Sequence, residues 1–237
     1  MASTSSSAEA GETIYLDHNA TTPLVAEARA AIVDAIERGW GNPSSGHWAG
    51  RIARQMLDDA RAAVAELVGA QPDDVTFTGG ATEAINTIIA SAAPGRILTS
   101  TIEHPAVTAA IAARDEVIAE LVPVDAGGRV GVEAVLERVD DGPAPSLVVI
   151  MAANNETGVV QPVSALAGPL RDRGVPFLVD ATQLAGKLPV PCRPDFLVVT
   201  AHKLGGPKGA GAIVRGPGAR FTPLIHGGGQ EHGLRGG

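Results

Sequence analysis

From residue 72 onward the chain alternates short apolar runs with alanine-rich stretches, and no other feature constrains its fold as much. The runs at 75–78, 96–100, 117–122, 147–151, 177–179, 196–200 and 211–214 read as strands. The stretches at 82–92, 105–115, 132–139 and 164–173 read as helices. Strands that alternate with helices are joined by crossovers, so the sheet is expected to be mostly parallel. The continuously apolar LVVIM and FLVV suit strands covered on both faces. Ahead of residue 72, segments 25–38 and 47–68 carry apolar residues at helical spacings, and Gly69 is placed to end the second. The expected fold class is α/β, a mostly parallel central sheet flanked by helices. The 237 residues show no internal repeat or long linker and suffice for one large core.

Composition narrows the function. An apolar fraction of 45% with 19% charged residues describes a globular chain. A formal charge of −8 argues against a nucleic-acid partner or an anionic membrane surface. No apolar run approaches the roughly 18 residues of a membrane span. The first eleven residues, MASTSSSAEAG, lack the basic start and apolar middle of a signal peptide, and residues 1–12 are expected to form a flexible tail. A single cysteine, Cys192, permits no internal disulfide, and a cytoplasmic location is expected. The six histidines show no tight metal-ligand spacing, HGGGQEH included, so no metal site is expected.

Ligands of open α/β sheets bind beyond the carboxyl ends of the strands. The residues that follow the strands here are GGATEAIN, TIEHP, AANNETG, DATQ and TAHKLGG, five polar segments expected along one edge. Of only three lysines, Lys187, Lys203 and Lys208, Lys203 alone stands a few residues past a buried strand. A lysine in a partly desolvated pocket loses basicity, and its neutral amine can form a Schiff base. Asp180, at the end of VPFLVD, is expected to project into the same crevice. A lysine and a buried carboxylate are what pyridoxal phosphate needs, the carboxylate keeping the ring nitrogen protonated. Gly79-Gly80-Ala81-Thr82 stands where a strand turns into a helix, where free N–H groups attract phosphate. Thr200 and His202 are placed to complete that cradle, His104 to stack on the ring and move protons, and Gln183 and Asn155 to hydrogen-bond cofactor and substrate. Each residue alone has a plainer reading: a surface lysine, a turn-capping aspartate, a tight Gly-Gly turn, or a histidine capping the helix that Pro105 opens. A dinucleotide-binding domain fits poorly, because no G-x-G-x-x-G follows the first strand.

These segments carry a family resemblance. YLDHNATTP (15–23), GNPSSGHWAG (41–50), FTGGATEAIN, EHPAV, NNETG, VDATQ, TAHKLGGPKG and GGGQEHGLRGG follow one another as in the cysteine desulfurases, class V aminotransferase-type pyridoxal 5′-phosphate enzymes of fold type I. The resemblance implies that Lys203 bears the cofactor, Asp180 pairs with the ring nitrogen, Gln183 with the ring hydroxyl, and His104 stacks on the ring. It further implies that Ala81, Thr82, Thr200 and His202 bind phosphate and that Asn155 lies near the substrate carboxylate. The implied activity converts L-cysteine to L-alanine, with sulfur passed to an acceptor protein, in a homodimer serving iron–sulfur cluster biogenesis. Two small departures are Gly79 and Thr200, where the family often has serine.

The family continues beyond QEHGLRGG with a threonine that contacts the partner's phosphate, then a small domain carrying the persulfide cysteine and a carboxylate-binding arginine. The resemblance therefore leads to the expectation of a truncated product, fragment or split protein with impaired activity, in which residues 13–24 would join a small domain and 25–237 form the cofactor-binding large domain. Cys192, in VPCRPD just before a strand, is not expected to replace the family's nucleophile. A selenocysteine lyase or related lyase is the alternative activity, and a non-catalytic dimerisation or docking remnant the alternative of another class.

Overall fold

The computed structural model describes residues 14–237; the tail expected over 1–12 lies outside the described residues. Seven strands form one sheet: β1 (Val75–Thr78), β2 (Gly95–Ser100), β3 (Val117–Val122), β4 (Leu147–Met151), β5 (Phe177–Asp180), β6 (Phe196–Thr200) and β7 (Gly211–Arg215), in the order β1-β7-β6-β5-β4-β2-β3. From β3 through β6 every pairing is parallel. β7 runs antiparallel to both β6 and β1. The reason lies in the connection from β6: a parallel return needs a crossover of a dozen or more residues, and 201–210 holds only a single 3₁₀ turn. The expected mostly parallel α/β sheet is the one found.

The described residues form six helices: α1 (Ala26–Arg38), which packs on the next helix and has no buried residue, and α2 (Trp48–Val68), α3 (Ala81–Ser91), α4 (Pro105–Ala112), α5 (Val132–Asp140) and α6 (Val163–Asp172), which contribute buried side chains to the core. α4 stops three residues short of the expected 115; the other boundaries agree with the sequence reading to within one residue. Alternation along the strands sorts the core into two clusters. Leu147, Val149, Leu178 and Val198 face Ile85, Ile88 and Ile89 of α3 and Val107 and Ile111 of α4. Val148, Ile150, Val179 and Leu197 face Val135 of α5, Leu166 and Leu170 of α6, and Val68 of α2. Each fully buried Leu or Ile contributes roughly 1.5–3 kcal/mol over exposure.

The same period of two carries past the apolar residues and positions the site. Asp180 follows Leu178 by two and Thr200 follows Val198 by two, so both emerge on the face covered by α3 and α4. Register brings Asp180 of β5 opposite Met151 of β4 and Val198 of β6. The N-termini of α3 and α4 meet this edge, because each helix begins within a few residues of the carboxyl end of β1 or β2.

The C-terminal segment folds back over edge strand β1. Glu231 accepts from Arg61 at 2.8 and 2.9 Å and from the Phe77 N–H at 2.8 Å. Both side chains of this ion pair are less than a tenth exposed, so its loss would leave an uncompensated buried charge.

Candidate active site

A cavity of about 800 Å³ opens at the carboxyl edge of the sheet, and all nine of the expected site residues line it. It is built from both ends. At one end, β1 turns into α3 through Gly79 and Gly80. Gly80 holds φ 147°, a conformation that L side chains rarely adopt, and a Cβ on Gly211 would come within 2.7 Å of the Gly80 Cα. Two glycines thus let β7 pass directly beneath the turn. The α3 N-cap has no side-chain cap, so the first-turn amides of Ala81 and Thr82 find no acceptor among the described residues. Thr200 Oγ1 lies 3.0 Å from His202 Nδ1 beside them. Burial and the charges of Lys203 and Lys208 lower the His202 pKa.

At the other end stand Asp180 and Lys203. The Asp180 carboxylate is buried and accepts from the Thr182 N–H at 2.9 Å. Burial raises its pKa, while the Thr182 hydrogen bonds and the His104 and Lys203 charges act the other way. Burial, then the charge of Lys187, lowers the pKa of Lys203, which raises its neutral fraction at a given pH. Its Nζ donates to the carbonyls of Asn19 and Ala20.

The remaining residues are held by local bonds. His104 caps α4, its Nδ1 accepting the Ala106 N–H at 3.0 Å. The capping alternative for His104 is therefore realised, while the same ring lines the cavity. Gln183 donates to the Asn19 carbonyl at 2.8 Å and accepts from Lys187 Nζ at 2.6 Å. The Asn155 carbonyl accepts from Asn19 Nδ2 at 3.0 Å, and its own amide donates to Glu156 at 2.6 Å.

Sequence reading missed several lining residues. Asp17, Asn19 and Ala20 come from the N-terminal segment, which reaches Lys203 through backbone carbonyls that leave no mark in a sequence. Glu83, Thr182 and Lys208 also line the cavity. Glu103, next to His104, is buried with Oε1 bound to Ser100 Oγ and the Met151 N–H while Oε2 finds no partner among the described residues. Burial pushes its pKa up to about 8. An acid raised on folding keeps its proton in the folded state and loses it in the unfolded one. Stability is therefore expected to fall as pH rises from about 4.5 to about 8. Urea titrations across that range should show the Glu103→Gln variant losing less stability than wild type, by on the order of 2–4 kcal/mol at the upper end. Parallel pH profiles would mean that Glu103 is ionised in the fold.

A doubly covered sheet with a lysine, a buried carboxylate and a helix-end anion cradle converging on one edge defines a crevice for an anionic, ring-bearing cofactor. The chain belongs to the class V aminotransferase family, whose model, Aminotransferase class-V, matches residues 14–234. Among curated relatives it is 44% identical to a cysteine desulfurase of Cereibacter sphaeroides, over 95% of this chain and 61% of that protein. It is 38% identical to a selenocysteine lyase of Bos taurus, over 94% of this chain and 60% of that protein. A solved NifS-like protein superposes with a TM-score of 0.87 at 36% identity, over 94% of this chain and 64% of the other. SspA, solved in complex with cysteine, superposes with a TM-score of 0.85 at 33% identity, over 95% and 68%. The chain thus spans about 60% of the length of the curated relatives it matches.

Class V aminotransferases and cysteine desulfurases are pyridoxal 5′-phosphate enzymes, and the crevice has the groups that cofactor requires. Free amides at the α3 N-terminus suit its phosphate, and a buried carboxylate with few donors suits a protonated ring nitrogen. Among the described residues no helix is long and apolar enough to cross a membrane.

Proposed function

We propose that this chain is the cofactor-binding part of a cysteine desulfurase-type enzyme that takes sulfur from L-cysteine, leaving L-alanine. The observation that carries the reading is the convergence of Lys203, Asp180 and the open α3 amides on one cavity. When bound, pyridoxal 5′-phosphate supplies an electron sink for the amino acid's Cα substituents. Lys203 is the attachment point and the base that moves the α-proton, a task suited to an amine of lowered basicity. Asp180 keeps the ring nitrogen protonated. Ala81 and Thr82, with Thr200 and His202, hold the phosphate. His104 stacks on the ring with Nδ1 committed to Ala106, which leaves Nε2 for proton exchange. Gln183 serves the ring hydroxyl by exchanging its present bond to the Asn19 carbonyl, and Asn155 serves the substrate carboxylate through its side-chain amide, exchanging its present bond to Glu156.

The chain works in the cytoplasm as a homodimer and delivers sulfur to an acceptor protein for iron–sulfur cluster assembly. Exposed Ile36, Trp40 and Trp48 around α1, a helix with no buried residue, support a covered surface there. Residues 13–24 belong with a small domain and 25–237 form the large domain. The selenocysteine lyase relative favours a second reading in which selenocysteine is the preferred substrate. Incubation of the cofactor-loaded chain with each amino acid in deuterated water tests both. Faster α-deuteration of cysteine supports the first reading and of selenocysteine the second; no exchange with either contradicts both.

Cys192 is not the sulfur carrier. It is half-buried among the residues packed on the β-sheet face opposite α3 and α4, and burial pushes its pKa up to about 11. At neutral pH it is a thiol, whereas the thiolate is the nucleophile. Cys192→Ser is expected to leave α-proton exchange and any sulfide formation within about twofold of wild type, and native iodoacetamide labelling should be at least tenfold slower than for a free thiol. Rapid labelling, or activity lost with the serine, would contradict this.

A further inference from the structure

Glu83 sits in the first turn of α3, directly beside the amides that form the anion cradle, and it lines the same cavity. A carboxylate is favoured at a helix N-terminus for the reason a phosphate is, and the two compete for the same positive end. The Glu83 side chain does not reach forward. Its Oε2 turns back to accept the Gly79 N–H at 2.8 Å. There Arg235 holds it, with Nε 3.0 Å from Oε1 and Nη2 3.3 Å from Oε2. Hydrogen bonding to Glu83 raises the Arg235 pKa, so the arginine is charged throughout the working range.

Two further features fit this arrangement. A Cβ on residue 79 would stand 2.8 Å from Glu83 Oε2, so glycine there leaves room for the turned-back carboxylate. Arg235 is also delivered from a fixed point. Four residues before it, Glu231 is locked to Arg61 and to the Phe77 N–H, and Glu231 and His232 both hold left-handed backbone, at φ 48° and 57°. Such conformations persist in non-glycine residues when their surroundings hold them.

We propose that Arg235 is a positioning residue for the anion site: it keeps the Glu83 carboxylate neutralised and turned back on Gly79, leaving the α3 amides to the cofactor phosphate. The inference rests on the pyridoxal phosphate reading and adds a residue remote in sequence from the cradle. Without Arg235 an unpaired carboxylate competes with the phosphate for the helix end. The cofactor's phosphate then binds more weakly, and pyridoxal, which has no phosphate, does not.

The test compares dissociation constants of pyridoxal 5′-phosphate and pyridoxal, read by absorbance, for wild type, Arg235→Gln, Glu83→Gln and the double variant. Arg235→Gln is expected to weaken the phosphate ester about tenfold at low salt while pyridoxal changes less than twofold. The deficit should shrink as salt is added. The double variant should recover to within about twofold of wild type, because the competing charge is gone. Glu83→Gln alone should bind the ester at least as tightly as wild type, and this arm still decides the matter if Arg235→Gln does not fold. Equal losses for ester and pyridoxal, an unrescued double variant, or weaker ester binding by Glu83→Gln would each overturn the proposal. A wild type that does not distinguish ester from pyridoxal sinks the cofactor reading and this inference together. A wild type that prefers the ester, with Arg235→Gln keeping the full preference, sinks this inference alone.

Discussion

Lys203→Ala is expected to abolish the visible absorption that wild type gains with pyridoxal 5′-phosphate and to reduce α-proton exchange with amino acids by 10³-fold or more, on the order of the loss when a covalent nucleophile is removed. The side chain follows β6 into the crevice, where burial lowers its pKa and, among the described residues, two backbone carbonyls engage it. Lys187 is committed to Gln183, and Lys208 lies in the glycine-rich loop before β7. The cofactor should still bind weakly through the α3 amides, since the phosphate site does not include Lys203. Retained absorption in Lys203→Ala, with loss in Lys187→Ala or Lys208→Ala, would move the attachment point and the reading of the cavity with it.

The second large effect concerns Asp180. Asp180→Asn keeps the volume and can accept the Thr182 N–H, so fold and cofactor affinity should change little. It removes the one buried carboxylate lining the cavity among the described residues. A neutral amide does not hold the ring nitrogen protonated, and the electron sink weakens. Exchange should fall by roughly 10⁴-fold, the scale seen when a buried carboxylate that orients and charges a neighbouring ring is neutralised. The absorption band should shift as well. Unchanged exchange in Asp180→Asn, measured by deuterium incorporation, would remove Asp180 from the chemistry.

Much of the fold is legible because its strands are buried on both faces. LVVIM and FLVV can only be core, and the two core clusters divide their side chains by simple parity. The antiparallel β7 is not visible in the apolar pattern, since GAIV looks the same in either direction; only the brevity of 201–210 decides it. The site was legible where it uses side chains at strand ends, as at Asp180 and Lys203. It was not legible where it uses backbone, as at the carbonyls of Asn19 and Ala20, or long-range ion pairs, as at Glu83 and Arg235, which lie 152 residues apart. His104 shows why the two readings of one residue need not compete: the bond that caps α4 is also what fixes the ring at the cavity wall.

The central claim is that this cavity binds pyridoxal 5′-phosphate through Lys203. Borohydride reduction of the protein mixed with stoichiometric cofactor, followed by peptide mass spectrometry, tests it most directly. A single modified peptide is expected, with the added mass on Lys203. A label on Lys187 or Lys208 at equal or greater yield, or no label on any of the three lysines, would contradict it.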